Sequence, residues 1–361
     1  MPVALFRSFR RYRKAIGRDE QIVIYPSFAS RTADDRGWSL VVQGCVFDPR
    51  IPWLRRTPVM GLIKRAMRID RAADEYFRQR MRQFLMSGLK GRAVAVRVAD
   101  REFQVAESDY MGLFRGTIEL SDSIASEYAM PLENGGRWID CHAVLGASDT
   151  REFRGPIQLV EPTGVSIISD VDDTIKHSNV GNRRDLFRNT FTRTFVPVLG
   201  MPELYRDCAV AGTAFHFVSG SPWQLYEPIH DFCRAEGYPF GSFHLKRFRF
   251  REAARKLRMS PQKAHKRAAI EPILAAFPNR RFVLIGDSGE QDPEIYGHLT
   301  REFPGQVIGI FIRAIRGETR NSERILKAFD GIPPERWTLY TDPTDIRSQV
   351  ASLVARDAAQ A

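Results

Sequence analysis

Cysteine is scarce in this chain. Of 361 residues only Cys45, Cys141, Cys208 and Cys233 carry a thiol, and no two stand at a CxxC or metal-site spacing. That pattern excludes a disulfide scaffold and reads instead as buried thiols in a reducing compartment. Long apolar runs are also missing. Nothing approaches the roughly eighteen consecutive apolar residues of a transmembrane helix. Residues 1–11 lack the apolar centre of a signal peptide, so a cytoplasmic protein is expected, at most peripheral on a membrane. Internal repeats and low-complexity tracts are absent. Acids are missing where the cations gather. Residues 1–18 hold six Lys/Arg and no acid, and residues 243–268 hold ten against Glu252 alone, within a net charge of +11.

Against that background the five residues Asp170-Val171-Asp172-Asp173-Thr174 carry the most information. They follow the apolar run Val165-Ser166-Ile167-Ile168, a short buried strand whose start is set off by Pro162 and Gly164. Side chains repeat every second residue along a strand, so Asp170 and Asp172 point roughly the same way and can face one reaction centre. Asp170 then has the place of a nucleophile that forms an acyl-phosphate, and Asp172 that of a proton carrier for the leaving oxygen. An acidic turn that merely caps a helix fits the same five residues.

Three later segments decide between these readings. Ala214-Phe215-His216-Phe217-Val218-Ser219 is a second apolar strand ending on a hydroxyl, followed by Gly220, Ser221 and Pro222. Lys266 lies in a basic helical stretch. Phe282-Val283-Leu284-Ile285-Gly286-Asp287 is a third strand, opening into a loop that ends at Asp292. Gly286-Asp287-Ser288-Gly289 superficially resembles a serine-protease nucleophile motif. It follows a parallel-type strand, however, and no histidine motif of that family precedes it.

The four motifs in this order resemble the haloacid dehalogenase superfamily, on its phosphatase side, over residues 164–345. Three longer stretches narrow the resemblance. Asp170-Val171-Asp172-Asp173-Thr174-Ile175-Lys176, residues 219–226 and residues 286–296 are similar to the actin-patch-associated phosphatidate phosphatase family. That family removes phosphate from phosphatidate with Mg2+ and leaves diacylglycerol. The resemblance implies that Asp170, the backbone carbonyl of Asp172, and Asp287 supply hard oxygens to Mg2+, with Asp292 ligating through water or orienting the others. It implies that Ser219 donates to a phosphoryl oxygen, with Gly220 and Ser221 beside it. Lys266 would balance the carboxylates and the developing charge. Asp172 separates the phosphatases from the superfamily's dehalogenases, whose halide needs no proton to leave. Thr174 holds the turn after the first strand.

The organisation reads as a basic amphipathic arm over 1–19, a β-rich domain over 20–160 and a catalytic domain over 161–361. The first domain is expected to be an antiparallel, sandwich-like sheet with strands near residues 21–25, 38–47, 92–98, 112–120 and 141–145. A helical pattern from Val59 to Leu85 is inserted into it. The second domain alternates strand and helix, with strands starting near Val165, Ala214, Phe240, Arg281 and Val307. The expected class is α/β, a Rossmann-like parallel sheet of haloacid dehalogenase type. Phe187, Phe191 and Phe195 recur every four residues; as a helical stripe they suit either a core or a lid over the site.

The expected substrate is a phosphate-bearing lipid. The basic runs suit an anionic leaflet, and Leu5, Phe6, Phe9, Tyr12 and Ile16 fall at helical spacing among the cations of the arm. A solvated tail explains the arm equally. No nucleic-acid motif accompanies the basic runs, so nucleic acid ranks below a membrane surface. Two functional classes stay open: a Mg2+-dependent phosphomonoesterase acting on a lipid, small-molecule or protein phosphate, and a binding module with little chemistry. The complete acidic set favours the enzyme. Oligomeric state is not legible.

Overall fold

The computed structural model describes residues 14–50, 61, 74–134, 136–247 and 262–358. Most of the amino-terminal arm, most of the first half of the Val59–Leu85 pattern and the centre of the basic stretch 243–268 lie outside these residues. The chain divides into two units: residues 1–58, 85–130 and 137–159 in one, residues 59–84, 131–136 and 160–361 in the other.

The first unit is a ten-stranded sheet. Its strands are β1 (Gln21–Ile24), β2 (Ser27–Arg31), β3 (Gly37–Asp48), β4 (Ser87–Gly88), β5 (Ala93–Val98), β6 (Arg101–Glu107), β7 (Leu113–Ser121), β8 (Met130–Pro131), β9 (Arg137–Ala143) and β10 (Arg154–Leu159). The long β3 pairs antiparallel with β7 along one edge and with β2 and then β1 along the other. β9 pairs antiparallel with β10 and with β5, and β5 with β6, whereas β2 and β10 run parallel. Trp38, Leu40, Val42, Val94, Val96, Ile118, Ile139 and Ile157 meet in one buried cluster. The sheet therefore wraps a shared core, and the β-rich expectation holds in that form.

The second unit contains a six-stranded, all-parallel sheet: β11 (Val165–Ser169), β12 (Ala214–Pro222), β13 (Ser242–Lys246), β14 (Arg281–Asp287), β15 (Val307–Arg313) and β16 (Trp337–Tyr340). Their spatial order is β13-β12-β11-β14-β15-β16. All five residues of β11 are buried, as are six of the seven in β14, the continuous apolar pattern of strands covered on both faces. The order reverses between β11 and β14. Their carboxyl ends therefore border the crevice where open α/β sheets bind ligands.

The helix α1 (Asp74–Leu85) is the described part of the pattern expected as an insertion in the β-rich domain. Through Phe84 it belongs to the second unit. The reason is aromatic packing against α3 (Arg183–Phe191), the next helix after α2 (Asp122–Tyr128). Phe77 lies 6.2 Å from Phe187 and Phe84 lies 5.2 Å from Phe191. Arg80 donates to the Thr190 carbonyl at 2.5 Å and stacks 4.0 Å over Phe195. α1 thus packs against the Phe187–Phe191–Phe195 stripe, whose three side chains are half-buried. Among the described residues no helix is long and apolar enough to cross a membrane.

One buried cation ties the base of the parallel sheet. Arg280, 1 % exposed, donates to the carbonyls of Glu161, Thr163, Val165 and Gly212 and to Ser166 Oγ. Replacing it leaves several buried carbonyls without donors, at a cost of about 1–3 kcal/mol each where water cannot reach. Arg280→Met is expected to lower unfolding free energy by on the order of 3 kcal/mol, read from the urea midpoint. A shift within the error of the wild-type midpoint would contradict this role.

Candidate active site

The sheet brings the motif residues together at its carboxyl edge. Asp170 follows β11, and its N–H donates to Ile285 O of β14 at 2.9 Å. The chain then turns sharply, with Asp173 in the left-handed region at φ 58°. Asp173 compensates for that conformation by accepting from three consecutive backbone N–H groups, Ser178 and Asn179 at 2.7 Å and Val180 at 2.6 Å. Arg313, at the end of β15, donates to Asp173 O at 2.9 Å. At the end of β14, a side chain on Gly286 would collide with Asp292 and Tyr296, so only glycine lets the loop return this closely.

Two adjoining clusters result. In the first, Lys266 Nζ sits among three carboxylates: Asp170 Oδ1 at 2.7 Å, Glu290 Oε2 at 2.8 Å and Asp292 Oδ1 at 2.5 Å. Asp292 Oδ2 accepts from the Asp287 N–H at 3.2 Å, and Thr174 Oγ1 donates to Asp170 Oδ2 at 3.1 Å. Asp287 Oδ1 accepts from the N–H groups of Gly289 and Glu290, at 2.6 and 3.1 Å, while its Oδ2 is buried with no hydrogen-bond partner. In the second cluster Asp172 Oδ1 takes Lys176 Nζ at 2.5 Å and Ser178 Oγ at 2.6 Å. Its Oδ2 takes Ser219 Oγ at 3.0 Å and Ser221 Oγ at 2.7 Å.

The two aspartates, two residues apart, are electrostatically opposite. Burial pushes Asp170 up, Lys266 pulls it back, and Asp292, Glu290 and Asp287 push it further, leaving its pKa well above the usual carboxylate range. Burial also opposes ionisation of Asp172, but the charge and hydrogen bond of Lys176, with donation from Ser178 and Ser221, more than offset that. Its pKa lies well below the usual range. Asp287 is raised by burial and by Asp292, and Glu290 by burial against the pull of Lys266.

The first cluster fits a divalent cation. Asp170, Asp287 and Glu290 each present one oxygen, all within 4.8 Å of one another. Among the described residues the buried carboxylates of the site, Asp170, Asp172, Asp173, Asp287, Glu290 and Asp292, outnumber the buried ammoniums of Lys176, Lys246 and Lys266 by three charges. A group of hard oxygens carrying that surplus suits Mg2+, and a bound cation would reverse the upward pKa shifts.

Every site residue expected from sequence therefore lies in one of these clusters or touches one. Asp170, Lys266, Asp287 and Asp292 share the first, with Thr174 on Asp170. Asp172, Ser219 and Ser221 share the second, and Gly220 lies between the two serines in β12. Lys266 is 1 % exposed and sits among three carboxylates. The side chain of Asp292 meets Lys266 and the Asp287 N–H, whereas Glu290 stands with Asp170 and Asp287. Glu290 was not among the expected residues; its one signal was a third acid inside the Asp287–Asp292 loop. Lys176 was also missed. Its signal was a lysine in phase with Asp172, four positions on.

Comparison with known proteins agrees with this geometry. Residues 165–314 match the family model described as "Phosphatidate phosphatase APP1, catalytic domain". The chain is 37% identical over 175 residues to phosphatidate phosphatase APP1 of Saccharomyces cerevisiae, covering 47% of this chain and 29% of that protein. It is 29% identical over 260 residues to an uncharacterized protein of Schizosaccharomyces pombe, covering 68% of this chain and 42% of the relative. The chain thus spans less than half the length of these curated relatives. A solved β-glucuronidase of Parabacteroides merdae aligns over 86% of this chain and 35% of its own, at a TM-score of 0.27 and 11% identity, too weak a likeness to bear on the fold.

Two outcomes are expected. Asp287→Asn and Glu290→Gln should each weaken Mg2+ binding tenfold or more by isothermal titration, while Ser219→Ala leaves it near wild type; equal affinities in all three would contradict the proposed ligand set. The second concerns His265, whose Nε2 lies 3.2 Å from Ser219 O, with Lys246 and Lys266 nearby. Burial pushes its pKa down to about 4. The unfolded chain takes up this proton near pH 6.5 and the native chain does not. Its contribution to stability is therefore complete above about 6.5 and is lost as pH falls towards 4. The stability of His265→Gln should fall less steeply than wild type across that window, and parallel pH profiles would argue against it.

Proposed function

We propose that this chain, whose residues 165–314 match the model of the phosphatidate phosphatase APP1 catalytic domain, is a Mg2+-dependent phosphomonoesterase acting on phosphatidate. In this reading the six-stranded sheet is a Rossmann-like domain of haloacid dehalogenase type. The observation that carries the reading is the contrast between Asp170 and Asp172. One strand end delivers two carboxylates to two environments, the arrangement by which a site assigns separate roles to like groups. The matched family supports phosphatidate as the substrate, and no helix-spanning anchor is needed for a protein that works peripherally at a membrane.

Asp170, Asp287 and Glu290 would hold the metal, with the Asp172 carbonyl as a further candidate. Once bound, Mg2+ would screen the approach of an anionic nucleophile to an anionic phosphoryl group. The remaining work falls to the chain. A carboxylate oxygen of Asp170 forms the bond to phosphorus as the bond from phosphorus to the glycerol oxygen breaks. That oxygen takes its proton from the Lys176 ammonium, relayed through the ionised Asp172, which leaves Lys176 neutral and Asp172 a carboxylate. Water then attacks phosphorus, Asp172 accepts the water proton and passes it back to Lys176 Nζ, and the bond from phosphorus to the Asp170 oxygen breaks, releasing phosphate and regenerating the carboxylate. Ser219 and Ser221 orient Asp172 and stand ready to donate to phosphoryl oxygens. Lys266 keeps the carboxylates from repelling one another.

The test is phosphate release from phosphatidate, lysophosphatidate, phosphoinositides, sugar phosphates and phosphopeptides, with Mg2+ and after thorough chelation. Phosphatidate should be preferred, chelation should silence release, and Asp170→Asn should abolish it in a folded protein. Asp172→Asn should cost about 10²–10⁴-fold. Turnover that survives chelation would refute the metal assignment. Preference for a soluble ester would refute the lipid substrate, and absence of any turnover would leave a binding module.

A further inference from the structure

The two most exposed large aliphatic side chains among the described residues belong to one short segment. Leu199 is 87% exposed and Val196 is 54% exposed. Single exposed aliphatics are ordinary on protein surfaces. These two differ in how they are held. His177 N–H donates to Val196 O at 2.9 Å and Val198 N–H donates to Ile175 O at 3.0 Å. Lys176 pairs antiparallel with Pro197. The segment is thus strapped by backbone bonds to the residues that directly follow Asp170-Val171-Asp172-Asp173-Thr174. Beneath it Phe195 lies against Phe232 at 6.0 Å and under Lys176 Nζ at 4.7 Å. These side chains are exposed on a braced support.

Topology gives their position. The helix α4 (Met201–Asp207) lies in the crossover from β11 to β12. In a parallel sheet such a helix starts at the carboxyl edge and returns towards the other, so Leu199, two residues before it, lies at the edge that carries Asp170 and Asp172. The same insertion is cationic. Residues 177–200 contain Arg183, Arg184, Arg188 and Arg193 against the single acid Asp185. Arg183, Arg184 and Arg193 are exposed. Exposed aliphatics on a fixed strap, cations on the same insertion and a phosphoryl-transfer site directly behind it are the features of an interfacial surface.

We infer that residues 193–199 form a docking surface for an anionic phospholipid bilayer, with Val196 and Leu199 entering the headgroup–acyl boundary and the insertion's arginines facing the phosphates. The inference rests on the lipid-phosphate reading and deepens it. Docking at this edge presents the site mouth to the bilayer, so a lipid headgroup reaches Asp170 without leaving the membrane plane.

The four cysteines are buried, so Leu199→Cys in the full chain can be labelled selectively with an environment-sensitive fluorophore. Vesicles of phosphatidylcholine with phosphatidylglycerol should raise its emission several-fold. Pure phosphatidylcholine should raise it much less, and high salt should reverse the rise. Val196→Ser with Leu199→Ser should cut vesicle co-sedimentation about tenfold while p-nitrophenyl phosphate hydrolysis and thermal melting stay at wild type. Unchanged emission on bilayers that sediment the protein would overturn the inference and place docking elsewhere. Failure of the protein to bind vesicles would overturn it as well. Fluorophore insertion without hydrolysis of phosphatidate in detergent micelles would instead overturn the substrate assignment and leave the surface standing.

Discussion

The contact on which the rest of this structure depends is the ammonium of Lys266 set among Asp170, Glu290 and Asp292. Carboxylates buried this close repel one another, and each is costly to desolvate while charged. A single cation offsets only part of that, because the site has more carboxylates than ammoniums. Burial opposes the charge on Lys266 too, yet its three partners hold its pKa well above the ordinary lysine range. The remaining negative charge, together with the unpartnered Oδ2 of Asp287, makes the cluster a place where a divalent cation lowers energy.

The fold supplies what this arrangement needs. Parallel strands end at one edge, so β11, β12 and β14 can each contribute a motif without any long, flexible loop. The shape of each motif then follows from local constraints. Asp173 accepts a left-handed backbone in return for three backbone hydrogen bonds, and the turn brings Lys176 and Ser178 back onto Asp172. Gly286 gives up its side chain so that Asp292 can come back over the strand end. The two aspartates thereby acquire opposite ionisation tendencies although they are two residues apart.

Much of this was legible in the sequence because it rests on local pattern. The apolar runs at Val165, Ala214, Arg281 and Val307 mark strands at those positions, and the strand expected near Phe240 begins at Ser242. The acids and the serine at their ends mark the site. The illegible parts depend on contacts distant in sequence. The strand Trp337–Tyr340 is four residues long and shows no clear alternation. β2, β6 and β10 are polar on one side and interrupted by glycine or charge, so their pairing comes from the sheet. The allegiance of α1 to the second unit follows from Phe77 and Phe84 meeting Phe187 and Phe191, more than 100 residues away. Glu290 and Lys176 escaped because motif spacing ranks residues by position, whereas their roles arise from which carboxylate each one reaches.

Rapid acid quench of the enzyme during turnover of phosphatidate carrying radiolabelled phosphate, followed by peptide mapping, tests the central claim most directly. The account predicts acid-stable, alkali-labile label on the peptide that contains Asp170, dependent on Mg2+ and absent from Asp170→Asn. Phosphate release by the wild-type enzyme with no protein-bound label at any quench time, or with label on another peptide, would contradict it.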